Sequence, residues 1–243
     1  MTQTFFRFTN LSLFAVLLLS FFSTSIYAAP FYIDNFTDMQ GVIDLAGDST
    51  ASTNTQALTS TGSNLGPGTQ RTLSIDASGT PSAPIGPGFP AFNSLMQSNT
   101  GTLQISNDTN VTSAVASVFW NGFSPVDLTT YGTGLLLKVN TIDLATTIQL
   151  IINGGTSTSA PQTFASGTGD FFVPFADFSD STAFTAVNDI KLAFSGSGPW
   201  DGKFSFLVAD DPSTVPEPSV LLLILSGLLA AHFMSGTRQK KLS

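Results

Sequence analysis

Fifteen aspartates, one glutamate, one histidine and no cysteine are all that this 243-residue chain offers for acid–base, nucleophilic or metal chemistry. The histidine, His232, sits in an apolar run near the C-terminus, so the body of the chain carries neither imidazole nor thiol. Hydrolytic triads need a base beside the nucleophile, and zinc sites draw on imidazole or thiolate, which sets both chemistries aside. Two aspartates facing across a cleft could still serve as acid and base, or as nucleophile, in glycoside hydrolysis. No local motif pairs two of them, and most fall in turns, where Asp caps and bends backbone. The expectation is a protein that is not an enzyme, with an Asp-dependent glycoside hydrolase as the catalytic alternative.

Carboxylates near strand ends could also hold a structural Ca²⁺. The candidates are Asp34, Asp108, Asp210 and Asp211, with Asp34 and Asp210 put first. The Asp-x-Asp-x-Asp-Gly spacing of a calcium loop does not occur, and Asn107-Asp108-Thr109-Asn110 is more economically a β-turn. No other cofactor is implied.

Sugar recognition would use exposed aromatic rings stacked on pyranose faces. Trp120 ends an apolar strand and belongs to the core. Tyr131 sits in a turn, either capping a hydrophobic edge or contacting a glycan. Trp200 follows a Gly/Pro loop and is the better candidate for exposure, so Tyr131 and Trp200 are the candidate glycan contacts. Gly66-Pro67-Gly68 and Gly196-Ser197-Gly198 are hairpin turns rather than phosphate loops, because no lysine-bearing strand-to-helix context follows them. From 30 to 215 the fifteen aspartates face only Arg71, Lys138, Lys191 and Lys203. Nucleic-acid binding rests on Lys and Arg neutralising phosphates, so nucleic acid is excluded as a partner.

The elements that must position these residues are short β runs separated by turn clusters. Strands are predicted over 71–76, 101–106, 112–120, 134–140, 147–152, 171–175, 189–194 and 203–209. Thr102, Gln104 and Ser106 alternate with Leu103 and Ile105, as on a half-buried sheet. The runs 148–152 and 204–208 are apolar enough to lie centrally between two layers. Asn153-Gly154, 195–199 and the proline-rich 81–90 are turns or loops, and 48–68 reads as an exposed loop or a weak edge hairpin. No body segment sustains a helical period. The expected fold is an all-β antiparallel β-sandwich over 30–211.

Both ends carry export features. Arg7, the apolar stretch Leu11 to Phe22 and the small residues at Ala28-Ala29 form a signal peptide over 1–29, cut after Ala29; a retained anchor is the alternative. At the other end, a linker at 212–218 holds Val215-Pro216-Glu217-Pro218. An apolar helix at 219–236 and a basic tail at 237–243 with Arg238, Lys240 and Lys241 follow. Eighteen residues of helix reach roughly 27 Å, just short of a hydrocarbon core of about 30 Å. The basic residues would hold that end on the cytoplasmic side. Pro216 and Pro218 keep the preceding peptide extended and open to an enzyme. Glu217 is the only glutamate in the chain, which fits a side chain kept for recognition.

This tail resembles the PEP-CTERM sorting signal, which exosortases recognise and process in Gram-negative bacteria that export polysaccharide. The resemblance implies export through the Sec machinery, a transient inner-membrane intermediate, processing by an exosortase, and a final place at the cell surface or in an extracellular matrix or biofilm. A plain C-terminal anchor is the alternative.

The body carries a second resemblance. Phe31-Tyr-Ile-Asp-Asn-Phe opens it, Phe119-Trp-Asn-Gly and Val126-Asp-Leu-Thr-Thr-Tyr-Gly follow, and Phe171-Phe-Val-Pro-Phe-Ala-Asp-Phe, Val187-Asn-Asp-Ile-Lys-Leu-Ala-Phe and Phe204-Ser-Phe-Leu-Val-Ala-Asp close it. In that order they are similar to galactose-binding-like jelly rolls, including carbohydrate-binding modules. That likeness implies a jelly roll with affinity for exopolysaccharide, or a module for one specific glycan. The closing strand departs from the Asp-Asp-Ile ending of that group, so no metal site is carried over.

Overall fold

The computed structural model describes residues 29–45, 50–59, 61–80 and 91–211. All but the last residue of the signal peptide expected over 1–29, the proline-rich 81–90 stretch and the whole tail lie outside the described residues. Val215, Pro216, Glu217, Pro218, Arg238, Lys240 and Lys241 are among those left out. No helix among the described residues is long and apolar enough to cross a membrane.

Alternation of apolar and polar side chains with Gly and Asn at the corners makes the described chain a succession of strands. They are β1 (Phe31–Asp34), β2 (Gln40–Asp44), β3 (Ser52–Ala57), β4 (Gln70–Gly79) and β5 (Ser94–Asn99). Then come β6 (Thr102–Asn107), β7 (Val111–Asn121), β8 (Gly134–Ile142), β9 (Thr146–Ile152) and β10 (Ser157–Thr158). β11 (Gln162–Phe164), β12 (Gly167–Pro174), β13 (Ile190–Ser197) and β14 (Gly202–Asp210) complete the order.

They form two antiparallel sheets stacked as a sandwich. Sheet one runs β12-β8-β14-β6-β5-β2 with β1 also paired to β14; sheet two runs β10-β9-β13-β7-β4-β3 with β11 paired to β9. Between the sheets, Leu73, Ile75, Val118, Leu150, Leu192 and Phe194 meet Leu103, Ile105, Leu135, Leu137, Val139 and Phe204, all fully buried. Each such side chain removed from water contributes about 1.5–3 kcal/mol. β14 fits its apolar sequence, since it lies inside sheet one between β8 and β6.

All eight predicted strands are present, most extended by a residue or more. The 171–175 strand begins earlier, at Gly167, and gives way to a 3-10 turn at Phe175–Asp177. Within the stretch expected as a loop or weak edge hairpin, Ser52–Ala57 is the edge strand of sheet two, with almost every side chain exposed. β2 and β5 were not predicted. Their inward positions carry Gln40, Asp44, Ser94 and Ser98 around a central Val42 or Met96, while Ile43 points to solvent at 49% exposure, which blurs the usual alternation.

Those inward polar groups surround a buried arginine. Arg71 has no exposed surface; its Nη1 donates to Asp34 Oδ2 at 2.8 Å and its Nε to Gln40 Oε1 at 2.7 Å. Its Nη2 donates to Asp38 O at 2.6 Å and to Ser98 Oγ at 2.5 Å. One guanidinium thereby joins β1, β2, β4 and β5 across the two layers.

Candidate functional site

The nominated aromatics sit away from any common site. Trp200, expected on an exposed loop, is fully buried. Its Nε1 donates to Ala114 O at 3.2 Å, and its ring centroid is 6.1 Å from that of Phe194. Gly196 makes the room: a Cβ there would lie 2.5 Å from Trp200 Cδ1, so the missing side chain lets the indole fold under β13. The glycan contact expected of Trp200 is therefore corrected to a core role. Tyr131 closes the 3-10 turn Leu128–Thr130, whose Asp127 side chain accepts from Thr129 N. The Tyr131 ring is half-buried, 4.5 Å from the ring of Phe31. Trp200 precedes the first residue of β14, whereas Thr133, two residues after Tyr131, donates to Asp210 O at the far end. Eight residues of strand place the two ends roughly 26 Å apart. Trp120 is core, as expected.

The calcium candidates divide in the same way. Asp34 is fully buried, and its Oδ2 accepts from Arg71 Nη1 and from Trp120 Nε1, each at 2.8 Å. Its Oδ1 accepts from Phe36 N at 2.7 Å. Burial pushes its carboxyl above the ordinary value, and the Arg71 charge and these donors oppose that push. Donors already surround both oxygens, so Asp34 is the anion of a buried ion pair and not a calcium ligand. Asp210 Oδ1 accepts from Asp211 N at 2.8 Å, and Asp108 Oδ1 accepts from Asn110 N at 2.9 Å in the expected turn. Among the described residues no three His, Cys, Asp or Glu side chains come together as a metal cluster.

One pair of carboxylates is close. Asp201 N donates to Asp143 Oδ1 at 2.6 Å, and Asn107 N donates to Asp201 Oδ1 at 2.7 Å. Burial raises the Asp201 carboxyl above its ordinary value, and the neighbouring Asp143 charge adds to the rise. These contacts pin the loops at the start of β14.

Among the described residues, a shallow depression lies on the outer face of sheet two. Apart from the buried Arg71 and Thr146, inward positions on β4, β7, β13 and β9 are mostly apolar, so their alternates face outward in register. One row crosses the sheet as Thr72, Phe119, Lys191 and Ile151; the next as Ser74, Ser117, Ala193 and Gln149; a third as Asp76, Val115, Ser195 and Thr147. The depression, of about 300 Å³, is lined by Thr72, Ser74, Ser117, Phe119 and Lys191. The lining residues come from β4, β7 and β13, so the depression spans roughly 10 Å across the sheet. An aromatic edge, hydroxyls and one ammonium are the groups that can hold a polyol ring. The sequence reading missed this face because it assigned the phenylalanines to the leader and the core. Phe119 lies on the opposite parity from Val118 and Trp120, and that parity was the available signal.

Fold and surface together define a two-sheet antiparallel β-sandwich with a transverse groove on one outer face. No protein-family model matches the chain, and no curated protein matches it. Nine chains of solved structures do match. An agarase, AgWH50C, is 14% identical over 51% of this chain and 22% of its own, with a TM-score of 0.36. The chain thus spans under a quarter of that enzyme's length. CtCBM11, known from a solution structure with dynamics and binding studies, is 9% identical over 71% of this chain and 94% of its own, TM-score 0.29. The family 11 carbohydrate-binding module of the cellulosomal cellulase Lic26A-Cel5E of Clostridium thermocellum is 8% identical over 72% and 95%, TM-score 0.28.

Proposed function

We propose that this chain is a non-enzymatic surface or extracellular-matrix protein, exported, sorted and processed by an exosortase, and retained in exopolysaccharide or biofilm by a jelly-roll body of the galactose-binding-like type. The observation that carries the reading is the tail: Val215-Pro216-Glu217-Pro218, an uncharged apolar run, then Arg238, Lys240 and Lys241. Glu217 would be read by charge-assisted hydrogen bonds, and the prolines by their fixed extended shape.

The layout of the body supports it. Phe31 pairs with Ala209, so the chain enters and leaves the sandwich on neighbouring strands at one end. The two ends of the described body therefore lie together on sheet one, while the groove lies on sheet two. A membrane tether at that end leaves the groove open to the medium.

The test is the intact mass and membrane fractionation of the native product beside Glu217→Gln. A wild-type species beginning near Pro30 and lacking the apolar run, with the variant held in the inner membrane, supports the reading. A wild-type chain still ending at Ser243 in the inner membrane sinks it and leaves a simple anchor.

A second reading, a module that recognises one specific glycan, is favoured by the groove itself, since hydroxyls beside an aromatic ring suit a pyranose. Binding to a single glycan, lost in Phe119→Ala, would raise it above general retention. Release of reducing sugar by the purified protein would instead promote the Asp-dependent hydrolase.

A further inference from the structure

Of the four cations in the body, two have carboxylate partners in the described structure. Arg71 is buried against Asp34, and Lys138 Nζ holds Asp170 Oδ1 at 2.7 Å on the outside of sheet one. Lys191 has no carboxylate within 4.0 Å of its Nζ among the described residues, although acidic side chains outnumber basic ones sixteen to eight in this chain. It is also placed unusually. Its backbone pairs with Phe119 on one side and Ile151 on the other, in the middle of sheet two, and its side chain is half-buried on the wall of the groove. Lys203, the other cation without such a partner, is exposed between Thr141 and Gln104 with no ring beside it.

We infer that the groove selects carboxylated polysaccharide: a pyranose ring lies against Phe119 while Lys191 Nζ donates to the carboxylate of that sugar or its neighbour. The inference rests on the reading of this protein as a resident of exopolysaccharide, and it names the chemical class of the glycan. Lys191 and Phe119 are cross-strand neighbours, so a carboxylate on a sugar seated against the ring lies within reach of the ammonium. A neutral hydroxyl offers only a lone pair, whereas a carboxylate offers a charge-assisted bond. The acidic body opposes any polyanion at long range. At physiological ionic strength that repulsion is screened beyond about 8 Å, which leaves the local ammonium to decide.

The experiment compares polygalacturonate with its fully methyl-esterified form, which keeps the sugar chain and removes the charge. The full-length chain, purified in mild detergent, is titrated with each by affinity electrophoresis and calorimetry. The acid form is expected to bind about tenfold more tightly than the ester, with that preference lost in Lys191→Gln and retained in Lys191→Arg. Matching circular dichroism and unfolding midpoints confirm that the variants fold. Equal binding of acid and ester overturns the carboxylate selectivity. A Lys191→Gln protein that still prefers the acid, or a wild type that binds neither, overturns the site. None of these results depends on whether Glu217 directs processing, so the sorting reading stands or falls on its own measurement.

Discussion

Arg71 Nη1 and Asp34 Oδ2 lie 2.8 Å apart with both side chains fully buried, one on β4 and the other at the end of β1. The pair is completed on every side: Trp120 Nε1 and Phe36 N donate to the carboxylate, and Gln40, Ser98 and the Asp38 carbonyl accept from the guanidinium. Removing two charges from water costs several kcal/mol each, and only such saturation offsets it. The network ties strands distant in sequence into one corner of the sandwich.

Breaking one half of this pair should therefore be worse than removing both. Asp34→Leu and Arg71→Met alone should each lower stability by about 3–5 kcal/mol, since each strands a partner in the interior. The double variant Asp34→Leu/Arg71→Met should recover much of that loss. Urea unfolding midpoints check this; a double variant as unstable as the sum of the singles would show that the network acts through its hydrogen bonds rather than its charges.

The Asp143–Asp201 contact predicts a pH dependence with a definite sign. The folded state raises the Asp201 carboxyl above its ordinary value of 3.8, first through burial and then through Asp143. The folded protein therefore holds that proton more tightly than the unfolded chain. Its contribution to stability is fully present below the unfolded value and is lost as pH rises through the folded value. Asp201→Asn should flatten the stability profile in the window just above pH 3.8 while leaving its shape near pH 8 unchanged. The measurement is the unfolding midpoint from pH 3 to 8 for both proteins, and superimposable slopes would refute the assignment.

Why some strands were legible and others not follows from the same chemistry. β6, β7, β9 and β13 place apolar residues inward and polar ones outward, and period-two reading finds them. β2 and β5 turn Gln40, Asp44, Ser94 and Ser98 inward because Arg71 and the Asp44 contact to Ala77 N need partners there. Their hydrophobic pattern is blurred by contacts across 27 to 33 residues of sequence, which no local window contains. Trp200 misled for a related reason: a Gly/Pro loop signals exposure, but Gly196 opposite it vacates the space that the indole fills. The groove was hidden because its content lies in register between strands rather than along any one of them.

Gly196 gives a sharp test of that packing. It sits on β13 with an added Cβ directed at the Trp200 ring, so Gly196→Ala must push the indole or bend the strand. Overpacking of this kind costs about 1–3 kcal/mol. Thermal unfolding should show the loss, and near-ultraviolet circular dichroism should show a changed tryptophan signal. An unshifted midpoint would mean that the ring has free space on its far side.

Trp200 and Phe119 then separate core from site. Trp200→Phe keeps an aromatic in the slot but removes the Nε1 bond to Ala114 O, so it should cost stability, by about 1–3 kcal/mol, and leave glycan binding by the folded protein intact. Phe119→Ala removes a half-buried ring from the groove wall, where little core packing is lost, and should abolish glycan retention at nearly unchanged stability. The two variants are compared by affinity electrophoresis through polygalacturonate gels, well below their unfolding temperatures. Loss of retention in Trp200→Phe with Phe119→Ala unaffected would move the binding surface from the face of sheet two to the loops at the start of β14.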